Sequence, residues 1–186
     1  MYTVAQKQNN RTVLLIASML AAVLVFAAAC GSTGGTSSKF AQLIKIKPMD
    51  VIKPIVLRGT ATPKGQDDYL KGLDAYMAAD YKKGEKYFAT AVKASPEQGD
   101  WWLILGVCQV LQHDDKNAVR SLQKANTLVS EPSLSKAHWF LAQAYLMGDD
   151  ASSAAPLLEW LSVNGVEHSA DAKQLLQDLR DKGAIG

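Results

Sequence analysis

An all-α fold, a stack of helical hairpins closed by one end helix, follows from three observations. First, the small residues Gly72, Gly106 and Ala142 are each followed twelve positions later by another small residue: Gly84, Ala118 and Ala154. Four positions further stand Phe88, Leu122 and Leu158, and three beyond those Ala91, Ala125 and Leu161. The first two small residues are 34 apart and the next two 36 apart, and self-similarity at such a period marks stacked two-helix units. Second, the segment SADAKQLLQDLRDKG, 169–183, carries Ala172, Leu175, Leu176 and Leu179 as one helical stripe, with Asp171, Lys173, Asp178 and Asp181 facing away. Third, 48% of the residues are apolar, enough to bury a core in a chain of 186 residues, so wholesale disorder is excluded.

The formal net charge is +2, but Lys7 and Arg11 precede an uncharged apolar run in a stretch without acidic residues. Without these two, 18 basic residues face 18 acidic ones. The basic pI thus belongs to the leader, and no Lys/Arg block interleaved with aromatics offers a nucleic-acid surface.

Taken in order, residues 1–29 come first. The run TVLLIASMLAAVLVFAAA, 12–29, is eighteen residues without a charge behind a basic n-region, the pattern of a secretory signal. It is also at the lower limit of the roughly 17–25 residues that span a bilayer. Ala27, Ala28 and Ala29 stand directly before Cys30, and GSTGGTSS, 31–38, is a flexible coil suited to a tether. This resembles the lipobox of bacterial lipoproteins, with Ala27 where that pattern prefers Leu. The resemblance implies that Cys30 is the lipidated first residue of the mature protein, diacylated and N-acylated, which supplies the two signals stable anchoring needs. Gly31 after the cysteine implies, by the same family's rule, the outer membrane of a two-membrane cell, facing the periplasm. The alternative is an uncleaved single-pass anchor in the inner membrane. In both cases Lys7 and Arg11 hold the N-terminus inside and the bulk of the chain outside the cytoplasm. With Cys30 acylated, Cys108 is the only other thiol and no intrachain disulfide forms. In an apolar helix Cys108 is expected as a small buried hydrophobe.

Residues 30–64 form the Gly/Ser tether and an apolar segment. In KFAQLIKIKPMDVIKPIVLRGT, 39–60, Ile44, Ile46 and Met49 hold no helical period, and Pro48 and Pro54 forbid a long helix. It is expected as an extended strap laid against the domain, or else as a strand that pairs with a partner.

The domain proper spans 65–183, with repeats at about 65–98, 99–134 and 135–166 and a cap at 169–182. It resembles the tetratricopeptide repeat, whose signature is W-x2-L-G-x2-Y, then A-x3-F-x2-A, then P. Repeat one keeps Gly72, Tyr81, Phe88, Ala91 and Pro96; repeat two has Trp102, Leu105, Gly106, Ala118, Leu122 and Ala125; repeat three has Leu141, Ala142, Tyr145, Ala154 and Leu158. Departures are Gly84 for Ala, Gln109 for Tyr and no proline closing repeat three. The two extra residues of the longer spacing fit in SEPS, 130–133. The resemblance implies a right-handed superhelical stack of three hairpins. One hairpin cannot bury its apolar face alone, so the repeats stack and an end helix covers the last. Ser169 is the expected N-cap of that helix and Gly183 its stop. If Ser153 caps the second helix of repeat three, Pro156 sits harmlessly in its first turn; otherwise that helix is kinked.

The same resemblance implies a concave face built from the first helix of each repeat. Carried over by register, it comprises Tyr69, Leu73, Tyr76 and Met77; Asp100, Leu103, Val107, Val110 and Leu111; and Lys136, Trp139, Gln143, Leu146 and Met147. So apolar a surface either binds a partner segment or is filled by residues 39–60. A carboxylate clamp for chaperone tails, which needs Lys and Asn at the fifth and ninth positions, is excluded by Tyr69 and Leu73.

No constellation for catalysis is present. His113 lies in QHDDKN, a turn where Asp114 or Asp115 is the expected cap, and His138 and His168 have no paired ligand at metal spacing. There is no G-x-S-x-G, no H-E-x-x-H and no phosphate-cradling loop. The acidic pairs Asp67-Asp68 and Asp149-Asp150 stand where helices begin. No enzyme, cofactor, metal or small-molecule substrate is expected. The partner is expected to be an envelope protein or peptide segment, with the membrane as a second attachment. Two roles fit: an envelope adaptor, resembling tetratricopeptide lipoproteins of pilus assembly or outer-membrane protein insertion; or a regulatory subunit, resembling the extracytoplasmic half of repeat-bearing anti-sigma factors. The zinc module of the latter, H-x3-C-x2-C, has no counterpart in the eleven residues before the apolar run.

Overall fold

In the computed structural model, residues 38–51 and 62–186 are described. The expected signal or anchor, Cys30, the tether up to residue 37 and the strap residues 52–61, with Pro54, lie outside them. Seven helices and no strand occur among the described residues: α1 Gln66–Met77, α2 Tyr81–Ala94, α3 Gly99–Leu111, α4 Asp115–Asn126, α5 Ser133–Met147, α6 Ala151–Asn164 and α7 Ser169–Asp181. The fold is all-α. Each helix packs on the next, α1 on α2 through to α6 on α7, and α3 also touches α5. That pattern is a stack of hairpins: α1/α2, α3/α4 and α5/α6, with α7 laid against the last.

One local design makes all three hairpin turns. Ala79, His113 and Asp149 each adopt a left-handed conformation, φ 58°, 58° and 62°. The next residue, Asp80, Asp114 or Asp150, donates its N–H back to Ala75, Gln109 or Tyr145, at 2.9 Å in every case. This is the six-residue closure that satisfies the last carbonyls of a helix. The same aspartate then caps the following helix: Asp80 accepts from Lys83 N–H at 3.1 Å, Asp114 from Asn117 at 3.2 Å and Asp150 from Ser153 at 3.0 Å. Of the caps weighed for α4, it is Asp114.

Two expectations about helix starts are corrected. Asp150, not Ser153, caps α6, so Pro156 is inside that helix, on its exposed side, where the Ser152 carbonyl that lacks its donor is open to water. Ser169 is the first residue of α7 rather than its cap: His168 precedes the helix at φ 63°, and the Ser169 hydroxyl donates to Ser162 O at 3.1 Å.

The small residues do what the recurrence requires. A Cβ on Gly72 would stand 2.6 Å from Phe88 Cε1, and one on Gly106 2.5 Å from Leu122 Cγ, so the bulky residue of the second helix packs straight onto glycine backbone. Gly84 differs. A Cβ there meets nothing closer than 3.4 Å, which is why alanine serves at Ala118 and Ala154. The link from α4 to α5 spans 127–132, six residues, against the four of 95–98 between α2 and α3. The two extra residues of the longer, second spacing lie there. Gln109, where the repeat signature has Tyr, donates to Glu85 Oε1 at 3.1 Å, and Gln112 donates to Glu85 Oε2 at 2.9 Å, tying the second repeat to the first.

A concave face occupied by the chain itself

Residues 38–51 carry no strand pairing. They begin with a single turn, Leu43 and Ile44 N–H donating to Phe40 O at 2.8 and 3.2 Å, and continue as irregular chain through Val51. The first part of the expected strap is therefore coiled, because Ser38–Ile44 precedes both prolines. Phe40 is buried in the common core, and Leu43, Ile44, Ile46, Met49 and Val51 pack against that core half-buried.

Polar anchors hold the two ends. At one end the Ser38 hydroxyl donates to Leu146 O at 2.6 Å, and Asp149 accepts from both Ser38 Oγ (2.8 Å) and Lys39 N–H (2.6 Å). At the other end Tyr76 bonds both backbone polar groups of one residue. Its hydroxyl accepts from Met49 N–H at 2.7 Å and donates to Met49 O at 3.0 Å. Burial raises the Tyr76 pKa well above the usual phenol range, so the hydroxyl stays protonated and serves both roles. The segment thus runs from the hairpin turn of the third repeat to the first repeat, against the order of the repeats.

Few of the expected groove residues are free. Leu73, Tyr76, Leu103, Val107, Val110, Trp139, Gln143 and Leu146 are buried; Tyr69, Leu111, Lys136 and Met147 are half-buried; only Asp100 and Met77 stand exposed. Tyr69 stacks on Trp101 with ring centres 4.9 Å apart, and burial, aided by the Asp100 charge, pushes its pKa up to about 12. Trp139 stacks on His168 at 4.6 Å, and Lys136 pairs with Glu167 at 3.5 Å. The apolar face is therefore covered, in part by the repeats and in part by residues 38–51.

The cover is incomplete. A cavity of about 450 Å³ remains between the strap and α5 and α7, lined by Leu43, Lys47, Trp139, Phe140, Gln143 and Leu175 among others. Gln143 is wholly buried at its wall, and neither its Nε2 nor its Oε1 has a hydrogen-bond partner.

Among the described residues no group of His, Cys, Asp and Glu could hold a metal, and no helix is long and apolar enough to cross a membrane. His138 packs edge-on against Trp160 with its Nδ1 unpaired, and burial lowers its pKa. Cys108 is a buried free thiol whose pKa burial pushes up to about 12, which leaves it inert at neutral pH. Asp149 is the site residue that sequence reasoning assigned to a bland helix start. Nothing local in the sequence marks it, since its partners Ser38 and Lys39 lie 111 and 110 positions away.

No protein-family model matches this sequence, and no curated protein matches it significantly. Solved structures do. The TPR2B domain of yeast Sti1, in its complex with pHsp70, aligns at TM-score 0.56 and 17% identity, over 65% of this chain and 99% of that one. The Yersinia enterocolitica type III secretion translocator chaperone SycD aligns at 0.57 and 16%, over 67% and 98%. PcrH, in complex with the chaperone-binding region of PopB, aligns at 0.51 and 19%, over 64% and 97%. At these identities the likeness defines the fold, a tetratricopeptide-like helical repeat.

Proposed function

We propose that this protein is an adaptor that holds an extended segment of a partner protein on the concave face formed by α1, α3 and α5, and that residues 1–30 tether it to a membrane of the bacterial cell envelope. One observation carries the binding half: the face already holds a non-helical stretch of chain, Ser38–Val51, by an aromatic anchor and by backbone contacts at Tyr76. Two structures of the same fold are complexes, of Sti1 TPR2B with pHsp70 and of PcrH with a region of PopB, which supports the same use of the face here. The tether rests on the apolar run 12–29 and on the small residues before Cys30.

Site-specific photocrosslinking in cells tests the binding half. A benzophenone amino acid at Met77 or Trp139 should capture a common protein that the same group at Val163, exposed on α6, does not. Equal capture from all three positions, or none from the concave face, refutes it. For the tether, the intact mass of membrane-extracted protein should match residues 30–186 plus acyl chains. A mass matching all 186 residues makes it an uncleaved anchor and favours the regulatory reading.

A further inference from the structure

The groove is filled, but by an occupant that fits it incompletely. The strap is pinned by Ser38 and Lys39 at Asp149 and Leu146, by Phe40 in the core, and by Met49 at Tyr76. Between those ends it is loosely held. No hydrogen bond among the described residues ties the backbone of Lys45, Ile46 or Lys47 to the helices, and Lys45, Lys47 and Pro48 are exposed. Beside this middle stretch lies the 450 Å³ cavity, and at its wall the Gln143 amide has a donor and an acceptor unpaired. A residue in extended chain offers its own N–H and C=O on one side, the complement of a primary amide, as Met49 already offers them to Tyr76. Residues 38–51 line the same cavity, and no hydrogen bond joins any of them to Gln143. Buried polar groups left unpaired are costly, so a segment that satisfies Gln143 and fills the cavity has an advantage over the resident one.

We propose that residues 38–51 are a displaceable resident of the concave face, and that the partner supplies an extended apolar segment with an aromatic anchor that replaces them. This rests on the reading of that face as a protein-binding surface. The occupant's chemistry is read from the resident: an aromatic side chain in the Phe40 site, aliphatic residues following it, and an extended residue with free N–H and C=O where Gln143 stands. Binding is then conditional. A weak or poorly matched segment loses to a competitor permanently attached at high effective concentration, and only a well-matched one enters.

The test uses the full chain in detergent and a fluorescein-labelled peptide of residues 38–51 as the probe. The expected result is weak, saturable binding to the wild-type chain and binding at least tenfold tighter, about tenfold or more, to Phe40→Ala/Met49→Ala, in which the resident is loosened. Met49→Pro, which removes the resident's N–H to Tyr76 and leaves the helices and the groove intact, should tighten binding in the same direction and serves if the double variant fails to fold. A Ser38→Cys/Asp149→Cys chain should bind the probe when reduced and lose it when oxidised, because the resident is then locked. Binding to the loosened chains with none to wild type, at probe concentrations up to the ~mM effective concentration of an attached segment, means the strap is a fixed part of the fold; the inference fails and the binding face stands. No binding to any variant removes the binding face as well. Equal binding to wild-type and locked chains places the probe elsewhere and overturns displacement. Concentration-dependent dimers of the loosened chain that exchange straps assign the groove to a second copy, which overturns the assignment to a separate protein.

Discussion

Replacing Tyr76 with Phe deletes one oxygen and keeps the ring, including its edge contact with Tyr81 at 5.5 Å between ring centres. Two hydrogen bonds go with that oxygen, the one accepted from Met49 N–H at 2.7 Å and the one donated to Met49 O at 3.0 Å. Each is worth about 0.5–1.5 kcal/mol net. Met49 is only half-buried and regains water when the strap lifts, so the loss falls in the lower half of the sum, about 1–2 kcal/mol. That weakens docking of the strap's second half by roughly 5–30-fold. Native-state hydrogen exchange reads the effect at a single amide. Met49 N–H should exchange faster by about that factor in Tyr76→Phe, while amides in the buried middle of α3, such as Val107, keep their protection. Unchanged exchange at Met49 would refute the idea that Tyr76 holds the strap. Equal acceleration at Met49 and Val107 would refute it in another way, by showing that the strap does not open independently of the helices.

Three further outcomes follow from the packing and the buried polar groups. Gly106→Ala should destabilise the wild-type chain by about 1 kcal/mol, because overpacking of about 1–3 kcal/mol against Leu122 outweighs the gain of about 1 in helix propensity. In a Leu122→Ala background the same change should stabilise; additive effects in urea unfolding of the four chains would contradict the 2.5 Å contact. Gln143→Leu replaces an unpaired buried amide with an apolar chain of similar size and should raise stability by about 1–3 kcal/mol, seen as a higher Tm. A lower Tm would mean that the amide is satisfied after all. The Tyr69 pKa of about 12 lies above the ordinary 10, so its neutral form is favoured in the folded state. Its contribution is complete below pH 10 and is lost as pH rises from 10 through 12, so wild-type stability should fall more steeply across that window than that of Tyr69→Phe. Parallel pH profiles would count against it.

The helices and their order were legible because each rule behind them is local. The spacing of Gly72 to Phe88, or of Gly106 to Leu122, is written within one hairpin. The positions of Tyr69, Leu103 and Trp139 on one face were implied by the tetratricopeptide resemblance. What covers them was not. Ser38 meets Leu146 across 108 positions of sequence, and no period or propensity records a contact between a loop and a helix end that far away. The choice between a strap and a partner-pairing strand stayed open for that reason. Asp149 was misjudged because a carboxylate at a helix start has an ordinary explanation, and its second role appears only with Ser38 and Lys39 in place. The unpaired amide of Gln143 is likewise a property of three-dimensional neighbours. The Pro156 position turned on which of two plausible caps is used, a difference of three residues that sequence preference does not resolve.

The direction of residues 38–51 bears on how the molecule folds. In a stack of repeats each unit touches its neighbours, so stability is close to a sum of local terms and the terminal units fray. A segment that reaches Leu146 and Asp149 at one end and Tyr76 at the other joins the first unit to the third. It closes the open row into a loop of mutual dependence, and the end hairpins then melt together rather than one after the other. Because that closure spans most of the domain's length, it must form late, after the hairpins that receive it. Newly made chains therefore pass through a state with the helices assembled and the concave face still bare.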